Sequence, residues 1–187
     1  MARHAEAPPP RVRVWDLCVR TLHWSLVVAL AGAWLAVWGF PRTHEAAGYA
    51  ATAIVAARLF WGFTGSCYAR FSQFVHGPRA TLAYTARVLT HTEPRYIGHN
   101  PLGGWMALVL LACVLALGIT GWLYTAVDAF WGEAWLDRLH AWLGWSLLGL
   151  AAVHVAGVVF TSLRHRENLL AAMMDGQKTA PQTADAA

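Results

Sequence analysis

Four stretches of this chain, residues 20–39, 44–63, 102–123 and 139–163, are almost unbroken runs of apolar side chains. Each is close to the roughly 20 residues that a helix needs to cross the hydrocarbon of a bilayer. Lipid offers no hydrogen-bond partner to a backbone, and the runs lack the alternating pattern of a barrel strand, so each is read as a transmembrane helix. Composition agrees. Apolar residues make up 57% of the chain and charged residues 13%, which leaves too little polar surface to cover a water-soluble globule, the competing reading being a tightly packed soluble bundle. Eleven tryptophans suit the two lipid–water interfaces. The net charge of +4 does not indicate nucleic acid, because the arginines fall between the spans and form no basic patch interleaved with aromatics.

The spans divide the chain into a polar N-terminal tail over residues 1–13, a four-helix domain over residues 14–170, and a C-terminal tail over residues 171–187 whose last dozen residues read as disordered. No cleavable signal is evident at the start. Phe40-Pro41-Arg42-Thr43 forms a tight turn with Thr43 as a helix cap, and Asn100 caps the third helix with Pro101 in its first turn. Arginines cluster before the first helix, in the loop 64–100, and after the fourth. That bias places both termini and the long loop in the cytoplasm, the loop carrying a short surface helix over residues 79–89. Cys18, Cys67 and Cys113 show neither a Cys-x-x-Cys nor a Cys-x-x-Cys-His spacing, so covalent haem attachment is excluded and the three are read as ordinary packing residues.

The chemistry is expected from histidine. His23, His44, His140 and His154 fall inside or at the edge of the spans, where an ionisable side chain is expensive and usually functional. His140 and His154 are 14 residues apart, about 21 Å along a helix and within about 40° of one face, so they can serve two sites at different depths. Depth then pairs His23 with His154 near the inner face and His44 with His140 near the outer one. Two such pairs suit two b-type haems, each with both axial positions filled by imidazole, as electron transfer favours. A structural zinc would need four ligands converging at one point. Gly48 and Gly144 follow His44 and His140 by one turn and would leave room for a flat macrocycle. Arg58, 14 residues after His44, and Arg20, beside His23, have two readings: partners for a haem propionate, or side chains reaching out to the inner headgroups. His99 with Arg95 is a candidate quinone site, the alternative being an interfacial helix start beside anionic lipid.

The chain resembles the bacterial cytochrome b561 family, which includes the b-type cytochrome subunits of nickel-iron hydrogenases. The resemblance covers nearly all of residues 12–178 and rests on Val14-Trp15-Asp16 with Arg20-Thr21-Leu22-His23-Trp24, on Arg58-Leu59-Phe60-Trp61-Gly62-Phe63, on Gly98-His99-Asn100-Pro101-Leu102-Gly103-Gly104-Trp105, and on His165-Arg166-Glu167-Asn168. It implies an all-α four-helix bundle in the bacterial inner membrane with two non-covalent b haems on His23, His44, His140 and His154, and chemistry with a quinone, ubiquinone or menaquinone. Three functions follow. The chain passes electrons from quinol to a periplasmic cytochrome c or other haem protein, or anchors a hydrogenase or dehydrogenase, or oxidises superoxide and reduces ubiquinone. Asp128, Glu133 and Asp137 against Arg138 make the outer connection acidic. That balance attracts a basic cytochrome and repels superoxide, which favours the first.

Overall fold

A computed structural model describes residues 10–181 and residue 185. Four long helices carry the expected spans: α1 (Leu17–Ala36), α2 (Pro41–Thr64), α5 (Pro101–Ala126) and α6 (Ala134–His165), each long and apolar enough to cross a membrane. Between α2 and α5 lie α3 (Phe71–Phe74) and α4 (Pro78–Leu89). After α6 come α7 (Leu169–Asp175) and a strand β2 (Gln177–Thr179), which pairs antiparallel with β1 (Arg11–Arg13). The described residues are therefore all-α apart from one short ribbon.

Local chemistry explains the helix ends. Asp16 caps α1 by accepting from Val19 N at 2.8 Å, and Asn100 caps α5 by accepting from Gly103 N at 2.7 Å, ahead of Pro101. The start of α2 differs from expectation. Thr43 is no cap, because Pro41 opens the helix. Its fixed φ and missing N–H suit a first position, so His44 sits within the first turn. The last helix begins at Ala134 and runs for 32 residues, about 48 Å, longer than a hydrocarbon core of about 30 Å, and Asp137 belongs to its first turn.

α1 packs on α2, α2 on α5, and α5 on α6. Trp34 and Trp145, with ring centres 5.1 Å apart, bring α1 to α6. The mid-membrane core joins Ala51, Val55, Leu111, Val114 and Leu147. Gly118 lets α5 approach α2 there, since a Cβ would collide with the Thr52 side chain. Outward-facing residues such as Val28 (71% exposed), Leu35 (76%) and Phe63 (74%) are apolar, as a lipid-facing surface requires.

The β1–β2 ribbon puts both terminal segments on one face, here the terminal face; the opposite one is the distal face. The C-terminal tail is only partly as expected. Gln177–Thr179 form a strand, and Lys178 is 4% exposed, its ammonium donating to Tyr96 O and Ile97 O and pairing with Glu167 at 3.1 Å. Arg95 joins this network through Glu167 at 2.7 Å, Asp185, and Thr179 O. Residues 1–9, 182–184, 186 and 187, where the remaining tail expectations fall, lie outside the described residues. A second core under the ribbon joins Val14, Trp15, Val19, Ala69, Ile97 and Ala172.

Candidate haem-binding site

At the distal face the fold brings His44 of α2 and His140 of α6 together, with ring centres 6.0 Å apart and planes at 74°. Each ring is fixed through Nδ1. The His44 Nδ1 lies 2.9 Å from Ala33 O. A carbonyl only accepts, so Nδ1 carries the proton and Nε2 keeps its lone pair. The His140 Nδ1 lies 2.9 Å from the Thr120 Oγ1, and the Thr120 hydroxyl donates to the backbone carbonyl of Ala116 at 2.8 Å. With that hydrogen given to the carbonyl, Thr120 can accept from His140, which would leave Nε2 as the basic nitrogen here too. Second partners of this kind typically set the tautomer of a metal-ligating histidine. Two metal–nitrogen bonds of about 2 Å, each with roughly 1 Å more from nitrogen to ring centre, span about 6 Å; the observed separation fits one iron between the rings.

The other two candidates lie toward the terminal face, His23 in the second turn of α1 and His154 in the second half of α6. No hydrogen bond orients either ring among the described residues. At this end Arg20 Nε, Arg58 Nη1 and the His99 ring nitrogen Nδ1 are buried and have no hydrogen-bond partner among the described residues. Arg58 does not reach out to headgroups. It turns under the loop, donating to Ala69 O at 3.1 Å and lying 5.5 Å from the centre of the Phe71 ring. Arg20 donates its Nη1 to Met174 O. Three orphaned donors at one end of a membrane bundle call for an acceptor-rich, anionic group, and the two propionates of a haem are such a group. Among the described residues no three metal-ligating side chains converge, as a zinc site would require.

The glycines behave differently from one another. Gly48 is half-buried, yet a Cβ there would meet nothing within 4 Å, whereas one at Gly144 would touch Trp34 at 3.8 Å, an ordinary contact. A side chain at Gly48 would therefore enter open space, whereas Gly144 is closed on one side by an indole.

Sequence reasoning missed Thr120, since a threonine in an apolar helix ordinarily bonds its own backbone and its imidazole partner is 20 residues away. It also missed Asp16, whose carboxylate accepts from Trp61 Nε1 at 3.0 Å and from Ser66 Oγ. Burial raises that carboxyl, but the Ser66, Val19 and Trp61 donors outweigh it and hold it below the ordinary range. Of the candidate quinone pair, Arg95 donates to Glu167, Asp185 and Thr179 O, while the His99 ring packs on Trp15 and Phe74. A cavity of about 30 Å³ lies beside His99, lined by Tyr68, Gln73, Phe74, Tyr96 and Gly98.

The distal connection is exposed. Asp128 opens a short 3₁₀ turn, Glu133 precedes α6 and Asp137 is in its first turn. None of the three forms an ion pair among the described residues, and the Arg138 Nε is turned to Ala134 O.

A family model described as prokaryotic cytochrome b561 matches residues 14–176. A probable Ni/Fe-hydrogenase B-type cytochrome subunit of Azotobacter vinelandii is 29% identical over 158 residues, covering 71% of this chain and 65% of that protein. The protein of the same description from Cupriavidus necator is 25% identical over 215 residues, covering 89% of this chain and 86% of its own length. No solved structure matches.

Proposed function

The chain belongs to the prokaryotic cytochrome b561 family, a group of membrane b-type cytochromes, and on that premise we propose that it holds two b haems and carries electrons between the quinone pool and a redox partner at the distal face. One haem sits between His44 and His140, the other between His23 and His154. The observation that carries this reading is the distal pair, where the ring centres lie 6.0 Å apart and each Nδ1 has an oxygen at 2.9 Å that can take its proton, which would leave both Nε2 lone pairs free. Haem ligated by two imidazoles supplies a one-electron carrier that binds no substrate at iron.

The protein's own groups set the conditions for that chemistry. Ala33 O and Thr120 hold the distal imidazoles in one tautomer and orientation, so ligation needs no proton rearrangement. Arg58 and Arg20 bring positive charge to propionates at the terminal face. The α2–α5–α6 core keeps water from the path between the two pairs. With the terminal face cytoplasmic in the bacterial inner membrane, as the arginine distribution supports, quinol is the donor, and a basic periplasmic protein such as a cytochrome c is the acceptor. The unpaired carboxylates of Asp128, Glu133 and Asp137 support a basic acceptor. A second reading, membrane cytochrome of a hydrogenase, is favoured by the description of the relatives.

Redox titration of the purified protein tests the core of this proposal. Two b-type transitions are expected; His44→Ala and His140→Ala should each remove the same one, and His23→Ala and His154→Ala the other. Loss of different transitions within either pair would overturn the assignment. Offering quinol-reduced protein a basic cytochrome c in one arm and a hydrogenase in another distinguishes the partners.

A further inference from the structure

Among the orphaned donors of the terminal face, His99 belongs to no ligand pair. Its ring is held between Trp15, with ring centres 4.7 Å apart and planes at 62°, and Phe74, at 4.6 Å and 40°. The backbone beneath it is fixed as well: Asn100 caps α5, Pro101 follows, and a Cβ on Gly98 would press on Tyr68 at 3.1 Å. A ring clamped on two sides, on a backbone with no slack, cannot turn to find a partner. Yet its Nδ1 is buried and makes no hydrogen bond.

The surroundings indicate what is missing. The groups that act on the charge of His99 are Arg58, Lys178, His154 and His23, all cationic or imidazole and none a carboxylate. Burial first, and then that field, push the imidazole down to about 3, so it is neutral and able to donate one hydrogen bond. Arg58, first among these neighbours, has its own orphaned Nη1. Two buried nitrogens on different elements, each without a hydrogen-bond partner among the described residues, match a carboxylate brought by a ligand.

We propose that His99 is a third imidazole of the terminal-face site, a positioning residue that donates from Nδ1 to a propionate of the haem held by His23 and His154, with Arg58 as the charged partner of the same carboxylate group. This rests on the reading of that pair as haem ligands. It gives Gly98-His99-Asn100-Pro101 a purpose beyond starting α5: the loop delivers a neutral donor to the haem edge without adding charge. The direction of the effect follows. A donor to a propionate spreads its negative charge and makes an added electron on the haem less costly, so losing the donor lowers that haem's potential.

Two variants test this in the full-length, haem-loaded protein. His99→Phe keeps a ring between Trp15 and Phe74 but has no donor; His99→Gln keeps an N–H donor. Both should retain two haems. In His99→Phe the potential of the haem lost in His23→Ala should fall while the other stays in place, and His99→Gln should lie nearer the unsubstituted protein. Equal potentials in all three proteins would overturn the proposal, as would an equal fall in both variants, which marks a packing role. Redox-difference infrared spectra of unsubstituted protein loaded with haem carrying ¹³C-labelled propionates give an independent reading should His99→Phe not assemble. A carboxylate band displaced from that of a water-solvated propionate is expected, and a solvated band alone, with water as the only partner of His99, would refute it. If His23→Ala removes no haem, the ligand assignment has failed instead, whatever the His99 variants do.

Discussion

Thr120 shows how one hydroxyl decides the chemistry of a ring it does not belong to. By donating to Ala116 O and accepting from His140 Nδ1, it sets which nitrogen of His140 is basic. Thr120→Val should therefore weaken haem retention at the distal pair by about 10-fold, the lower end of what such partners are worth. The haem of His23 and His154 should be unaffected, as haem titration monitored optically would resolve; equal losses from both pairs would mean general loosening. The sequence singles out the four histidines because an ionisable ring in lipid demands a reason, and the structure brings His44 and His140 together. The sequence does not mark Thr120, Ala33 or Asp16. Their roles depend on which groups tertiary packing brings within 3 Å, and nothing in their local spacing carries that. Arg58 was half legible: its place on the His44 face was readable, whereas its inward turn depends on Ala69 and Phe71 of a loop the sequence leaves undefined.

The four long helices follow from apolar length, and their ends from proline and asparagine, so most of the bundle could be read directly. β2 could not. Gln177-Lys178-Thr179 has no apolar alternation, and its partner is more than 160 residues away; only the acceptors Tyr96 O, Ile97 O and Glu167 make a buried lysine tolerable there. Glu167 is the hinge of that network. Burial raises its carboxyl, but Arg95 and Lys178 outweigh it and hold it below the ordinary 4.5. The folded value being the lower one, the stabilisation is complete above the ordinary range and is lost as pH falls through the folded value. Glu167→Gln should cost on the order of 3 kcal/mol at neutral pH, seen as roughly a hundredfold loss of hydrogen-exchange protection in β2. The gap between variant and unsubstituted protein should narrow as the medium is acidified below about pH 4.5. A gap independent of pH would show that charge is not what holds the ribbon.

Across the whole molecule, the proposed orientation puts the terminal face in the cytoplasm on the arginine distribution. A reporter fused after Lys178 should accordingly be cytoplasmic, and one inserted beside Asp128 external; the reverse would move the proposed partner to the other compartment. Replacing Asp128, Glu133 and Asp137 together by amides should slow electron delivery to a basic acceptor, with the difference shrinking as salt is added, since such steering is screened over about 10 Å at 0.1 M. Reduction by quinol should be unchanged. The ribbon has a consequence in time as well as in space. β1 is synthesised before α1 and β2 only after α7, so every span can enter the bilayer while Arg11–Arg13 still have nothing to pair with. The last stitch is therefore made after insertion, and the terminal face acquires its final shape only once translation has passed Thr179.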